Sequence, residues 1–207
     1  MLTERSVSCM PVKKIDKSEI LQRCWEVLNR DGYHAASISV LAEATGLGKP
    51  GLLYHFGSKE QLMQAVLEFA SQKFRDYVLS VATEDLPPEQ RLEKLLRRQN
   101  RLAKIDRQGC FFANTALETG RDGPFNAFLV KIFAEWESAV GAIYMEQLPE
   151  NEAKKAAYRL LLEYEGAVIF YKLTSDTQHL ENIVKSAVEG YQTIQDQKQK
   201  HHEEINL

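Results

Sequence analysis

Residues 37–60 read SISVLAEATGLGKPGLLYHFGSKE, and this stretch decides the fold. Ser37 suits the cap of a short helix, and Gly46 suits a tight turn because glycine adopts positive φ at little cost. The segment 48–56 again has helical spacing, with Pro50 in its first turn, where no inward N–H bond is needed. The pattern predicts two short helices joined by a turn of three to four residues, which is a helix-turn-helix.

Helical periodicity also dominates on both sides of this stretch, and no segment alternates with period two. Asp16 and Glu19 resemble a capping box for a first helix that ends at Asp31, and Ser58 with Gln61 resembles a second capping box. The remaining helical patterns cover 58–82, 88–104, 110–119, 124–148, 150–174 and 178–198. We therefore predict an all-α fold of about nine helices.

Composition excludes several classes of protein. No apolar run approaches the roughly 18 residues that cross a bilayer, and the N-terminus lacks the pattern of a secretory signal, so we expect a cytoplasmic protein with no membrane partner. Three widely spaced cysteines exclude a disulfide framework and a CxxC metal pair. Residues 1–60 carry 8 Lys and Arg against 7 Asp and Glu, and residues 61–207 carry 18 against 22, a weak indication of nucleic-acid binding.

A glycine motif within the turn needs a separate interpretation. Residues 46–51 match G-x-G-x-x-G, but a dinucleotide-binding motif follows a β-strand and opens a βαβ unit. Here a helix precedes the motif and Pro50 lies inside it. We assign these glycines to the turn and to close backbone approach, and we expect neither a cofactor nor a metal.

The string quoted above strongly resembles the signature of the TetR family of transcriptional regulators, especially variants that read LLYHFxSKE. The close resemblance covers about residues 18–68, and the rest of the chain matches in helix number and length. It implies an N-terminal DNA-binding domain and a larger helical domain that binds a small molecule and dimerises. The expected parts are a flexible basic arm at 1–15, the helix-turn-helix domain at 16–62, the ligand-binding and dimerisation domain at 63–198, and a polar tail at 199–207.

The resemblance assigns candidate DNA contacts residue by residue. Lys59 opens the fourth helix, where backbone N–H groups and a cation suit a phosphate. The other candidates lie on the second and third helices, and they are Ser37, Ser39, Lys49, Gly51, Tyr54 and His55. Arg5, Lys13 and Lys14 are expected to follow the minor groove as an arm.

Four positions depart from the family pattern: Ser39 replaces a longer side chain, Gly48 replaces a hydroxyl cap, and the pair Pro50–Gly51 replaces a more usual pair. The recognition helix is therefore poor in base-reading side chains, so we expect specificity to depend on Lys49, Tyr54 and DNA shape. Tyr54 as part of the core, Ser37 as a cap alone and His55 as a buried residue stay open as alternatives.

The resemblance also implies a ligand cavity within the middle helices and a dimer interface formed by the last two. Candidate ligand contacts are Cys110, Asn114, Glu118, Trp136 and Glu165, with a structural role open for each. Cys110 at a helix start suits a thiol of lowered pKa, so an electrophile sensor is an open alternative.

Small and apolar residues at helical spacing are the candidates for the dimer interface, with burial inside the protomer as the alternative. They are Ala157, Leu161, Ala167, Ile169, Leu173, Ile183, Ala187, Gly190, Tyr191 and Ile194.

The resulting hypothesis is a homodimeric repressor that binds a palindromic duplex operator and is released by a small-molecule effector, although activation stays open. A DNA-binding architectural protein without an effector is one alternative. A helical enzyme that uses Cys110 or the carboxylates of Glu118 and Glu165 is another, but no catalytic motif supports it, so we expect no enzyme.

Overall fold

The computed structural model describes residues 16–205, with side chains described for residues 16–200. This part of the chain folds into nine α-helices and two short 3-10 helices, and it contains no β-strand, which confirms the all-α prediction. The α-helices are α1 (Lys17–Asp31), α2 (Ile38–Thr45), α3 (Lys49–Phe56), α4 (Lys59–Tyr77), α5 (Pro88–Ala103), α6 (Phe111–Thr119), α7 (Asn126–Tyr144), α8 (Glu150–Thr174) and α9 (Gln178–Ile205). The 3-10 helices cover Leu79–Thr83 and Ile105–Arg107. The predicted arm at 1–15, with Arg5, Lys13 and Lys14, lies outside the described residues.

Helix boundaries agree with the predictions except near four ends. α4 ends at Tyr77 rather than near 82, and the following five residues form a 3-10 helix. α7 is shorter than predicted at both ends. α9 continues to Ile205, so the expected polar tail is helical at least that far. Its last residues are mostly Gln, Lys and Glu, which favour helix even without an apolar face.

Two of the three predicted helix caps are confirmed. The N–H of Val40 donates to Ser37 Oγ at 3.3 Å, and the N–H of Gln61 donates to Ser58 Oγ at 3.1 Å. The predicted capping box at α1 is wrong. The carboxylate of Asp16 accepts from the hydroxyl of Ser18 and caps no backbone N–H.

One continuous hydrophobic core joins the two parts of the chain. α1 packs on α2 and α4, α7 packs on α8, and α9 packs on α5 and α8. Arg75 on α4 binds Glu135 on α7 with Nε–Oε2 at 2.6 Å, which ties the long fourth helix to the C-terminal bundle. None of the helices described between residues 16 and 205 is long and apolar enough to span a bilayer.

Candidate DNA interface and ligand cavity

The turn between α2 and α3 has the geometry that the sequence predicts. Gly46 has φ 71° and ψ 10°, the left-handed region that glycine occupies without strain. Its N–H and that of Leu47 donate to the last carbonyls of α2, at 3.0 and 3.1 Å. Leu41 and Leu52 are fully buried on either side of the turn. The turn and these two leucines therefore fix the angle between α2 and α3.

The candidate DNA contacts on α2 and α3 face solvent. Ser37, Ser39, Lys49 and His55 are exposed, and Tyr54 is 88% exposed, so neither Tyr54 nor His55 belongs to the core. Lys49 forms no ion pair with any described residue. α3 thus presents one cation and two aromatic polar side chains outward.

The glycines of α3 are not required by the packing of the protomer. A Cβ at Gly51 would make ordinary contacts with Leu47 at 3.7 Å, and Gly48 has φ of −70°. The expectation of close backbone approach within the protein is therefore wrong at these two positions. At Gly46, by contrast, the positive φ explains why the residue is glycine.

Lys59 occupies the first turn of α4, as predicted, but its ammonium group already has neighbours. Its Nζ lies 4.6 Å from the centre of the Tyr33 ring and donates to the carbonyl of His34 at 3.4 Å. Burial lowers the pKa of Lys59, and the nearby carboxylate of Glu118 opposes that shift. Lys59 thus lies between α4 and the connection from α1 to α2.

A cavity of about 590 Å³ lies between α1 and the C-terminal helices. This volume is within the range of small-molecule sites. Nine aromatic side chains line it: Trp25, Phe69, Phe74, Tyr77, Phe111, Phe112, Phe133, Trp136 and Tyr164. Several of these rings meet edge to face, including Trp136 with Tyr164 at 5.4 Å and Phe74 with Phe112 at 5.8 Å. The wall of the cavity is therefore apolar and packed by aromatic rings.

Three buried polar atoms in this wall have no hydrogen-bond partner among the described residues. They are Gln99 Oε1, Trp136 Nε1 and Tyr164 OH, on side chains that are 5%, 2% and 1% exposed. A buried polar group without a partner costs roughly 1–3 kcal/mol. Such a cost is offset when a bound molecule or water supplies the missing bond.

The five predicted ligand contacts are not brought together. Cys110 and Trp136 line the cavity, but Asn114, Glu118 and Glu165 do not. Asn114 donates to the carbonyl of Gln108 at 2.8 Å and accepts from Lys172 at 3.1 Å. Both polar atoms of its amide group are bonded within the protein and Asn114 does not line the cavity, so the structure does not support it as a ligand contact.

Glu118 lies at the other end of α6, away from the cavity, where it accepts from the N–H of His34 at 3.1 Å. Glu165 lies behind Cys110, and burial raises its pKa to about 7. Its Oε1 has no partner among the described residues. Glu165 therefore lies behind the cavity wall and does not line the cavity.

Cys110 caps α6, as its position in the sequence suggests, because its Sγ accepts from the N–H of Ala113 at 3.4 Å. Burial and the neighbouring Glu165 nonetheless raise its pKa well above the usual value. The bonds from the helix N-terminus lower the pKa, but burial is the larger effect. The expectation of a lowered thiol pKa is therefore wrong.

Two family models match this chain, one in each of its two parts. The family model described as "Bacterial regulatory proteins, tetR family" matches residues 20–66, and that described as "Transcriptional regulator LmrA/YxaF-like, C-terminal domain" matches residues 90–186. The two matches together include the helix-turn-helix and most of the cavity domain. The chain belongs to the TetR family of transcriptional regulators.

Individual relatives of this TetR-family chain are distant in sequence. An uncharacterized HTH-type transcriptional regulator in the lacX 3' region of Lactococcus lactis subsp. lactis is 23% identical over 178 residues, covering 80% of this chain and 88% of the relative. The crystal structure of a TetR regulator from Legionella pneumophila is 19% identical, with a TM-score of 0.78, covering 87% and 99% of the two chains. One from Chloroflexus aurantiacus J-10-FL is 24% identical, with a TM-score of 0.73, covering 84% and 93%. At these identities the solved structures establish the shared fold.

The TetR-family cavity contains residues that the sequence prediction missed. α1 contributes Gln22, Trp25 and Asn29, so the first helix of the DNA-binding domain forms part of the wall. Gln99 was also missed, although it interrupts the apolar face that Leu92, Leu95, Leu96 and Ala103 form on α5. A polar residue on an otherwise apolar helix face was the available signal for Gln99.

The predicted dimer residues on α8 and α9 differ in burial, and among them Ala167 and Ile194 are half-buried and Gly190 is exposed. Ala157, Leu161, Ile183, Ala187 and Tyr191 are buried inside the protomer, so they cannot form an outward face. Ile169 and Leu173 are exposed, and three further apolar residues of α8 are also exposed: Tyr158, Leu162 and Phe170. The outward apolar surface is therefore concentrated on α8.

Proposed function

We propose that the protein is a homodimeric repressor that binds a palindromic operator and releases it when a small molecule occupies the cavity. The observation that carries this proposal is the pairing of an outward-facing recognition helix with an aromatic cavity on the same hydrophobic core. Because α1 contributes to both domains, a molecule in the cavity contacts the DNA-binding unit directly. A regulator of this kind is expected to work in the cytoplasm.

Lys49, Tyr54 and His55 on α3 are proposed to enter the major groove, with Ser37, Ser39 and Lys59 on the flanking phosphates. All of these side chains are exposed except that of Lys59, which is half-buried, and their exposure supports the assignment. Gly51 lies on the same short helix, where the absence of a side chain leaves room for the DNA backbone. Lys49 has the only long cationic side chain on α3, so we expect it to carry most of the base discrimination.

Selection of bound duplexes from fragmented genomic DNA by the purified protein tests DNA binding. We expect a palindrome whose half-sites lie about 10 base pairs apart, because a two-fold dimer places its recognition helices in successive major grooves. Lys49→Ala is expected to weaken binding to this duplex about tenfold or more relative to a scrambled duplex. Failure to bind any duplex at low salt would overturn the proposal, and binding that ignores sequence would favour an architectural protein.

The proposed dimer uses the exposed apolar residues of α8. Tyr158, Leu162, Ile169, Phe170 and Leu173 would otherwise leave a large apolar surface in water. Sedimentation equilibrium tests this arrangement: Leu162→Glu is expected to give monomers. Leu117→Glu is the matched control, since Leu117 is also an exposed leucine but lies on α6. A monomeric wild-type protein, or equal effects of both changes, would contradict the proposed interface.

The lining of the cavity suggests the chemistry of the effector. Its aromatic wall favours a flat, mostly apolar molecule, and the unpartnered atoms of Gln99, Trp136 and Tyr164 require one donor and one or two acceptors on that molecule. The two charged residues of the lining, Lys73 and Asp76, are exposed and opposite in sign. We therefore infer that the effector carries no net charge.

Tryptophan fluorescence offers a direct test of the cavity. The chain has two tryptophans, Trp25 and Trp136, and both line the cavity. Screening a set of neutral bicyclic and tricyclic aromatic compounds for saturable quenching is expected to find binders that also release the selected duplex. Binders that leave the DNA complex intact would contradict release by the effector.

A further inference from the structure

The turn between α1 and α2 binds the carboxylate of Glu118. The N–H of His34 donates to Glu118 Oε2 at 3.1 Å, and the His34 ring nitrogen Nε2 lies 3.0 Å from the carbonyl oxygen of Glu118. Gly32 has φ 82°, and a Cβ on it would overlap the Glu118 carboxylate. Both the backbone shape and the missing side chain at Gly32 are therefore needed to admit this group.

Lys59 completes the same cluster from α4. Its ammonium group lies over the Tyr33 ring at 4.6 Å and donates to the His34 carbonyl at 3.4 Å. The Tyr33 ring is itself held in place, because it meets the buried Phe125 ring edge to face at 5.1 Å. Lys59 thus bonds to His34, the same residue that binds the Glu118 carboxylate of the cavity domain.

We propose that Glu118 is a positioning residue for DNA binding, which holds the turn between α1 and α2 and competes with the DNA backbone for the ammonium group of Lys59. This inference rests on the proposed phosphate contact of Lys59. One ammonium group cannot lie over Tyr33, bonded to the His34 carbonyl, and also contact a phosphate at full strength. The negative charge of Glu118 also repels a phosphate that approaches the same place.

α6 connects the turn that binds Glu118 to the cavity. Phe111 lines the cavity and Glu118 follows it by seven residues, so the two lie about 10 Å apart on one face of a short helix. The Phe111 ring also meets Trp25 of α1 at 6.3 Å between ring centres. A displacement of α6 at its cavity end therefore moves the carboxylate relative to Lys59.

A double-mutant cycle on the selected duplex tests the competition between Glu118 and DNA. Glu118→Gln keeps an oxygen for the His34 N–H and removes the charge. We expect it to tighten DNA binding about twofold to fivefold at moderate salt, as the removal of a nearby exposed charge does. In a Lys59→Ala background, which itself binds DNA more weakly, the same change is expected to give a clearly smaller gain, because only the direct repulsion between Glu118 and the phosphate is then removed. The matched control is Glu60→Gln, which removes one exposed negative charge next to Lys59 in sequence.

A salt titration gives a readout that a purely structural role would not change. The slope of log K against log salt is expected to steepen by up to about one unit in Glu118→Gln, because Lys59 then neutralises a phosphate fully. Unchanged or weaker binding by Glu118→Gln, an equal gain in the Lys59→Ala background, or an equal gain with Glu60→Gln would overturn the inference. If the wild-type protein bound no duplex, the proposed function itself would fail, and the two failures are thereby distinguishable.

Discussion

The DNA-binding unit and the cavity domain hold their candidate functional side chains in opposite surroundings. On α3, Lys49 is exposed and Tyr54 is 88% exposed. In the cavity, Trp136 and Tyr164 are 2% and 1% exposed, and each has a polar atom without a partner among the described residues. The first surface meets a large, charged partner from outside, whereas the second is shaped to enclose a small one.

This difference predicts how each region responds to substitution. An exposed side chain on a rigid helix can be changed with little effect on folding, so its loss appears in binding alone. A buried side chain belongs to the core and to the site together, so its loss changes both the free energy of unfolding and ligand affinity. Stability measurements on matched variants from the two regions can therefore confirm or refute the contrast.

The largest expected effect is a loss of stability in Leu52→Ala, and the comparison for it is Tyr54→Ala on the same recognition helix. Leu52 is fully buried, whereas Tyr54 faces solvent. Leu52→Ala is expected to lower the free energy of unfolding by about 2–5 kcal/mol, because it leaves a cavity against α2 and α4. Tyr54→Ala is expected to change it by less than about 0.5 kcal/mol while weakening DNA binding. Urea denaturation measures the first effect, and a titration of the selected duplex measures the second.

The second-largest expected effect is a pH dependence of the free energy of unfolding, which arises from Glu165 behind the cavity wall. Burial raises the pKa of Glu165 from 4.5 to about 7. The folded state therefore binds a proton more tightly than the unfolded chain, and its stability falls as the pH rises from 4.5 through 7. The loss attributable to this carboxyl group is up to roughly 3 kcal/mol, since each unit of pKa corresponds to about 1.4 kcal/mol.

Glu165→Gln removes this titration and retains the shape of the side chain. Urea denaturation of wild type and variant across that pH range is expected to show curves that diverge as the pH rises, with the variant more stable at neutral pH. Glu163→Gln is a suitable control, because Glu163 is exposed and paired with Arg159 at 2.7 Å. Parallel curves for wild type and Glu165→Gln would show that the Glu165 carboxyl group is not perturbed by burial.

The same contrast explains how much the sequence could predict. The helix-turn-helix depends on local signals, such as the hydroxyl cap at Ser37 and the left-handed glycine at Gly46, and both are present in the structure. These signals act within four residues, so they can be recognised without knowledge of the tertiary packing. The positions and bounds of α2 and α3 were predicted correctly for this reason, whereas α1 begins without the predicted capping box.

The cavity depends on contacts between distant segments, and its residues were predicted less well. Cys110, Asn114 and Glu118 are four residues apart, but each such step rotates about 40° around a helix, so the first and last diverge. Glu118 consequently reaches the turn after α1 instead of the cavity. The contribution of α1 to the cavity wall depends on how the two domains pack, which periodicity within one helix does not reveal.

A smaller effect is expected from the unpartnered hydroxyl of Tyr164. Tyr164→Phe removes only this group from a side chain that is 1% exposed, so the aromatic packing against Trp136 is retained. We expect the free energy of unfolding to rise by about 1 kcal/mol, because a buried polar atom without a partner is removed. Affinity for a compound found by tryptophan quenching is expected to fall at the same time.

Tyr191→Phe provides the contrasting control for this prediction. Tyr191 is also fully buried, but its hydroxyl donates to the carbonyl of Ile143 at 3.2 Å. Removing a hydroxyl that makes a hydrogen bond is expected to destabilise the protein by about 1 kcal/mol. If both changes were destabilising to the same extent, the Tyr164 hydroxyl would have a partner, such as water in the cavity.

The smallest expected effect concerns the rate at which the thiol of Cys110, in the wall of the cavity, reacts with an alkylating reagent. Thiolate is the reactive form of cysteine, and the raised pKa of Cys110 keeps the thiol protonated at neutral pH. With Cys9 and Cys24 replaced by serine, Cys110 is expected to react with iodoacetamide far more slowly in the native protein than in denaturant. Rapid native labelling would instead indicate a thiolate, and the cavity would then resemble the exposed DNA-binding surface in being open to reagents from solvent.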